Sequence, residues 1–176
     1  MLTERFERAL IYATRLHATQ TRKVSGVPYI SHLLGVTSIA MEHGADEDES
    51  IAALLHDAVE DQGGAPTLAV IEQEDGPRVA AIVDGCTDTE QTPKSPWRER
   101  KEAYIARVNA GEEEHGASIR LVSCADKVYN ARTILADHYR LGGDIWERFA
   151  GGKQGTLWYY RTLHEAYSRF GATPLT

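Results

Sequence analysis

The segment Ala52-Ala53-Leu54-Leu55-His56-Asp57-Ala58-Val59-Glu60-Asp61 constrains this chain more than any other. Ile51, Leu54, Leu55, Ala58 and Val59 recur at helical spacing and predict one apolar stripe, hence a buried helix. On a continuous helix His56 lies over Glu60 and Asp57 over Asp61, because residues four apart share a face. Three carboxylates and an imidazole beside such a stripe are costly unless something positive meets them. Two solutions stand open: Arg or Lys side chains from elsewhere in the core, or a bound divalent cation.

The rest of the chain reads as further helices. Phe6, Ala9, Leu10, Ala13 and Leu16 form the apolar face of a helix over 3–18, with Thr3 as its N-cap. A loop over 20–29, broken by Gly26 and Pro28, carries Arg22 and Lys23. The second helix, 31–43, holds His32 in its first turn and is closed by Gly44. Short helices follow over 67–74 and, marked by Val79, Ile82 and Val83, up to Gly85. A polar loop then runs to Pro93 and Lys94. Ser95-Pro96 predicts a helix start with serine as cap and proline in the first position. That helix, to Asn109, is charged on most of its surface and is placed on the outside. A second buried helix, 117–139, has Asp126 set among Ile119, Leu121, Val122, Ala125, Val128 and Tyr129, with Asn130 on the same side four residues on. The last helix, 155–170, holds Trp158, Tyr159 and Tyr160, read with Trp146 mainly as core or interface residues. No alternating β pattern occurs. The expectation is an all-α single domain over residues 1–176.

Charge and cysteine content narrow the function classes. A formal net charge of −7 argues against nonspecific binding of nucleic acid or a membrane surface, but permits a small anionic substrate held by a local Arg/Lys cluster. Two cysteines, Cys86 and Cys124, suggest no disulfide framework. No apolar run reaches the length of a membrane span, and residues 1–20 lack a signal-peptide core. A cytoplasmic location is expected.

Three dispersed features remain to be joined: His32, the His56-Asp57 pair, and Asp126. Two imidazoles and two carboxylates would give a divalent cation an N₂O₂ set with positions left over for water, and helical bundles build such sites from facing helices. The alternative remains that His56 and Asp57 pair with basic residues. At this point the chain resembles the HD-domain hydrolases, and more closely the hydrolase domain of RelA/SpoT homologues, especially the stand-alone small alarmone hydrolases. The matching segments are residues 20–32, 52–61, Val83-Asp84-Gly85-Cys86-Thr87-Asp88 and Ala125-Asp126-Lys127-Val128-Tyr129-Asn130-Ala131-Arg132, in the family's order.

The resemblance implies an HD-type helical bundle with a metal site between helices, in which His32, His56, Asp57 and Asp126 bind one Mn²⁺. It implies that Glu60 and Asp61 serve an attacking water, and that Arg22, Lys23, Lys94 and Asn130 meet a nucleotide. Lys153 and Tyr160 carry over from the loosely aligned C-terminal third. The implied reaction removes the 3′-pyrophosphate of the stringent-response alarmone guanosine tetraphosphate (ppGpp) or pentaphosphate. Two-metal HD phosphohydrolases use extra histidines between the His-Asp pair and the last aspartate; here that interval holds only His115, so one metal is expected. An N/O ligand set does not separate Mn²⁺ from Fe²⁺ or Zn²⁺. His17, His43, His138 and His164 are read as surface or packing residues. Where the family has a lysine, this chain has Ser123, followed by Cys124, read as a small buried residue. That departure keeps other substrates open: an adenosine alarmone, a nucleoside monophosphate, or the 2′-phosphate of NADPH. A non-catalytic nucleotide sensor is the alternative of a different class. The chain leaves no room for the synthetase domain of long bifunctional members, so hydrolysis alone is expected, with a homo-oligomer left open.

Overall fold

A computed structural model describes residues 1–89, 93, 95–111, 114–171 and 175. The organising segment sits at the centre of the fold. α3 (Glu47–Leu55) begins with a capping box, in which Asp46 accepts from the Glu49 N–H and Glu49 accepts from the Asp46 N–H. From Ile51 to Leu55 every side chain is fully buried, each large one worth about 1.5–3 kcal/mol of transfer free energy. α1 (Glu4–Leu16), capped by the Thr3 hydroxyl as expected, lies against one side of it. α2 (Ile30–Glu42) lies against another. The acidic residues Asp46–Glu49, at the cap and first turn of α3, have a definite task. Arg5 pairs with Asp48, and Arg78 with Asp46 and Asp48, tying α1 and α6 (Pro77–Cys86) to the start of α3.

The segment is not one continuous helix. α3 stops at Leu55, and a second short helix, α4 (Ala58–Gln62), starts after His56 and Asp57. The reason is local. His56 Nδ1 donates to the Ala53 carbonyl at 2.9 Å, the acceptor that a continuing helix would give to the Asp57 N–H. Asp57 then takes φ −98°, ψ −1°, outside the helical minimum. The break turns His56 and Asp57 toward one point instead of stacking them over Glu60 and Asp61.

α5 (Ala65–Asp75) packs beside α6, and α7 (Trp97–Ala110) follows the polar loop. Ser95 does not cap α7. Pro96 occupies the cap position with ψ 140°, and the Ser95 carbonyl instead accepts from Arg100 Nε at 3.1 Å. Nor is α7 wholly external, since Tyr104, Ile105 and Val108 are buried against α9 (Gly152–Ser168). α8 (Gly116–Leu141) is the shared spine. Its Val122 and Ala125 enter the large core around α3, while Cys124 enters the smaller α7–α9 core with Tyr159, Leu163 and Tyr167. A 3₁₀ stretch, Gly142–Arg148, links α8 to α9. Among the described residues there is no strand beyond one isolated bridge, Thr21 with Pro28, and no helix is long and apolar enough to cross a membrane.

That bridge shapes the loop before α2. The Arg22 N–H bonds to the Val27 carbonyl, Tyr29 N–H to the Gln20 carbonyl, and Gly26 makes the reversal at φ +71°. Arg22 and Tyr29 are thereby fixed relative to α2 and α8. The α2–α8 crossing is close because Gly35 has no side chain: a Cβ there would lie 2.0 Å from Cε2 of Tyr129. Gly35→Ala is therefore expected to force the two helices apart and to destabilise the protein by about 1–3 kcal/mol, the usual cost of overpacking. Urea denaturation checks this. An unchanged midpoint would show that the crossing yields freely.

Candidate metal centre

α2 contributes His32 from its first turn, the α3–α4 break contributes His56 and Asp57, and α8 contributes Asp126. His32 Nε2 lies 3.2 Å from Asp57 Oδ2 and 3.3 Å from Asp126 Oδ1. His56 Nε2 lies 3.1 Å and 3.6 Å from the same two atoms. Both imidazoles and Asp126 are buried, to 1%, 3% and 5% exposure. His56 donates through Nδ1, which leaves Nε2 facing the carboxylates, and that buried nitrogen has no hydrogen-bond partner. Among the described residues, His32, His56 and Asp57 are the group whose ligand atoms lie close enough to share one ion. Two buried imidazoles turned through Nε2 toward two carboxylates form a donor set that fits a divalent cation of the N/O-binding kind.

The electrostatics agree. Burial opposes charge on Asp57, but His56 and His32 outweigh it and hold the carboxyl well below its ordinary range. Burial likewise opposes charge on Asp126, and there Lys127 leads the opposing contributions, followed by both histidines. For His56 burial disfavours the proton, while Asp57 and Asp126 hold its pKa well above the usual imidazole value. Both acids thus stay ionised in a buried place and call for positive charge nearby.

A ring of donors surrounds the four residues. The Tyr29 hydroxyl donates to Asp57 Oδ2 at 2.6 Å, and its ring stacks on His17. Lys127 Nζ bonds Asp126 Oδ2 at 2.5 Å, leaving Oδ1 on the histidine side, where Asn130 Nδ2 also donates at 2.5 Å. Arg22 Nη2 donates in turn to Asn130 Oδ1 at 2.7 Å. Asn130 therefore links the loop cation to the aspartate.

Glu60 and Asp61 diverge, as neighbours on a helix must. Glu60 Oε2 accepts from the Asp88 N–H at 3.4 Å, on the α7 side. Asp61 Oδ2 accepts from Gln20 Nε2 at 2.8 Å, on the side of the 20–29 loop. Tyr160 stands near the cluster: burial and then Asp126 push its hydroxyl pKa up, against Lys127 and Arg22. Lys23 and Lys153 are exposed and lie outside the hydrogen-bonded cluster, and Lys94 falls outside the described residues. His17 is a packing residue, as expected, and Cys124 is buried with its thiol on the Leu175 carbonyl. Sequence reasoning gave no role to Tyr29, Gln20 or Asp88, whose partners lie 28 to 41 residues away. Lys127 was the one visible signal, a basic residue next to the buried aspartate.

Residues 9–157 match the family model described as HD domain. The chain belongs to the HD-domain family. Among its relatives is the zebrafish (Danio rerio) guanosine-3′,5′-bis(diphosphate) 3′-pyrophosphohydrolase MESH1, 39% identical over 126 residues that make up 70% of this chain and 65% of that protein. The Escherichia coli bifunctional (p)ppGpp synthase/hydrolase SpoT is 35% identical over 133 residues, 74% of this chain but 18% of that protein. This HD domain thus spans less than two thirds of either relative. Its fold is similar to that of a metazoan SpoT orthologue described as hydrolysing ppGpp, with a TM-score of 0.68, 25% identity and coverage of 97% of this chain and 98% of the other. Membership of the family implies a divalent metal, and the His/Asp cluster is the candidate for it.

Because ligand carboxylates depend on their hydrogen-bonding partners, Tyr29→Phe is expected to weaken divalent-metal binding by about 10–100-fold while the fold persists. Titrating metal-free protein with Mn²⁺, alongside thermal unfolding, checks this. Equal affinity in the two proteins would show that the hydroxyl gives the cluster no support.

Proposed function

We propose that this HD domain is a Mn²⁺-dependent hydrolase that removes the 3′-pyrophosphate of guanosine tetra- or pentaphosphate, releasing pyrophosphate with GDP or GTP. The observation that carries the reading is the convergence of His32, His56, Asp57 and Asp126 on one point, with Glu60 on one side and the Arg22–Asn130 pair on the other. The relatives named for ppGpp hydrolysis support the substrate assignment.

In this reading the four converging residues hold the ion. When bound it supplies Lewis acidity toward water and countercharge for the phosphoryl oxygens. Glu60 accepts the proton of the attacking water, whose oxygen forms a bond to the phosphorus attached at the ribose 3′ oxygen. The bond between that phosphorus and the ribose 3′ oxygen breaks, the ribose oxygen takes up a proton from solvent in exchange for the one that Glu60 accepted, and pyrophosphate departs carrying the water's oxygen. Asp61, oriented by Gln20, assists at the water or at the approach to it. Arg22 offers a planar two-point grip for phosphate, held in place by Asn130 and Thr133, and Lys23 beside it offers a point charge. Tyr160, near Arg22 and Asp126, forms part of the nucleotide wall, with Lys94 and Lys153 as further contacts to the substrate's phosphates.

The deciding experiment is a product assay with Mn²⁺ and guanosine tetraphosphate, with chelated protein and His56→Ala as controls. Metal-dependent release of GDP and pyrophosphate is the expected result. Absence of turnover with tight binding would replace the reading with a nucleotide sensor, and turnover confined to NADPH or an adenosine nucleotide would replace the substrate. Glu60→Gln is expected to keep its metal and lose about 10²–10⁴-fold in kcat, the range for a positioned general base. Undiminished activity in that variant would remove Glu60 from its role.

A further inference from the structure

We propose that Asp88, clamped by Arg100 and Lys101 of α7, is a positioning residue for Glu60. The inference rests on the catalytic reading of Glu60 given above. Asp88 follows the end of α6, and its side chain is only 6% exposed. Its Oδ2 receives both the Arg100 guanidinium and, at 2.7 Å, the Lys101 ammonium. A third cation, Arg107, donates to the carbonyl of the preceding residue, Thr87, at 2.5 Å. Three basic side chains from one helix thus fix two consecutive residues. The N–H of the second is directed at Glu60 Oε2.

Closing α6 does not require this arrangement. The Thr87 N–H already bonds the Val83 and Asp84 carbonyls, and the Thr87 hydroxyl bonds back to Val83. Drawing two largely buried cations onto one carboxylate, and a third onto the carbonyl beside it, is costly, so a purely terminal role would be poor use of them. The clamp is itself anchored. Trp97, on the first turn of α7, lies over Gly151 and Gly155 so closely that a Cβ at Gly151 would come within 2.6 Å of the indole. Lys101 also lies over the Tyr159 ring at 5.1 Å. Burial and the nearby Lys127 lower the pKa of Lys101, consistent with an ammonium held at the edge of the site rather than in water. Two cations on Asp88 also cancel its charge, so its backbone can approach Glu60 without setting carboxylate against carboxylate. A base misplaced by an ångström loses much of its effect, and the clamp prevents that displacement.

The test is a double-mutant cycle in the full chain loaded with Mn²⁺. Asp88→Asn keeps the shape and the N–H but removes the charge that Arg100 and Lys101 hold. Its kcat is expected to fall roughly 10–100-fold, with KM and Mn²⁺ affinity unchanged. Lys101→Met, which keeps the stem over Tyr159, is expected to lower kcat in the same way, and Lys101→Arg to restore it. In a Glu60→Gln background Asp88→Asn should cost less than about twofold, because there is no base left to position. Losses that multiply in the double variant, or a raised KM in place of a lowered kcat, would overturn the proposal. Should Asp88→Asn prove unstable to thermal unfolding, the same cycle with Lys101→Met decides the matter by the same criteria. The two readings fail separately: full activity in Glu60→Gln removes the base itself, whereas inactive Glu60→Gln with fully active Asp88→Asn removes only the positioning.

Discussion

Two ionised carboxylates held in a nearly dry place are the constraint around which this structure is arranged. Asp57 and Asp126 approach the same pair of imidazoles from opposite elements, and the fold meets their charge from several directions at once. Tyr29 supplies a hydroxyl from the loop, Lys127 an ammonium from the very next residue of α8, and Asn130 an amide from one turn on. Removing any one of these leaves a buried acceptor short of a partner, which costs more than the net worth of the bond when made. The remaining negative charge is what suits the point to a divalent ion. The same helices that bury Ile51–Leu55 therefore also bring the polar atoms to one place.

α8 shows how little of a helix is needed for each task. Over nine residues, Val122 and Ala125 pack the large core, Cys124 packs the smaller one, Asp126 faces the histidines, Lys127 neutralises its outer oxygen, and Asn130 reaches Arg22. These are successive positions at a 100° rotation, so one helix wedged between two cores presents a different surface to each neighbour. Asp126 lies at the seam because that is where the two apolar faces part.

Much of this was legible in the chain. The apolar stripes gave the helices, Thr3 and Gly44 marked their ends, and His32, His56, Asp57 and Asp126 could be joined by residue type before any geometry was known. What could not be read depends on contacts remote in sequence or on side chains competing with the backbone. The stripe through residues 51–59 continues across His56, so periodicity alone runs the helix on; only the Nδ1 bond to Ala53 ends it. Glu60 and Asp61 read as one unit because they are adjacent, and they separate because α4 aims them at different neighbours. Ser95-Pro96 has the composition of a cap, yet its carbonyl is taken by Arg100, whose other partner, Asp88, is twelve residues away.

The departure at Ser123 finds its physical meaning in the smaller core. Its hydroxyl lies between those of Tyr104 and Tyr167, so α7, α8 and α9 meet there through three neutral polar groups. A lysine at this position would bring a charge between the two buried phenol hydroxyls that Ser123 now joins. Lys127, one turn further along α8 and part of the segment that matches the family, lies over the Tyr104 ring at 5.1 Å and pairs directly with Asp126. The substitution therefore changes how the smaller core is satisfied and leaves the charge balance at the histidine side intact. On this geometry, the difference at Ser123 belongs to packing between α7, α8 and α9.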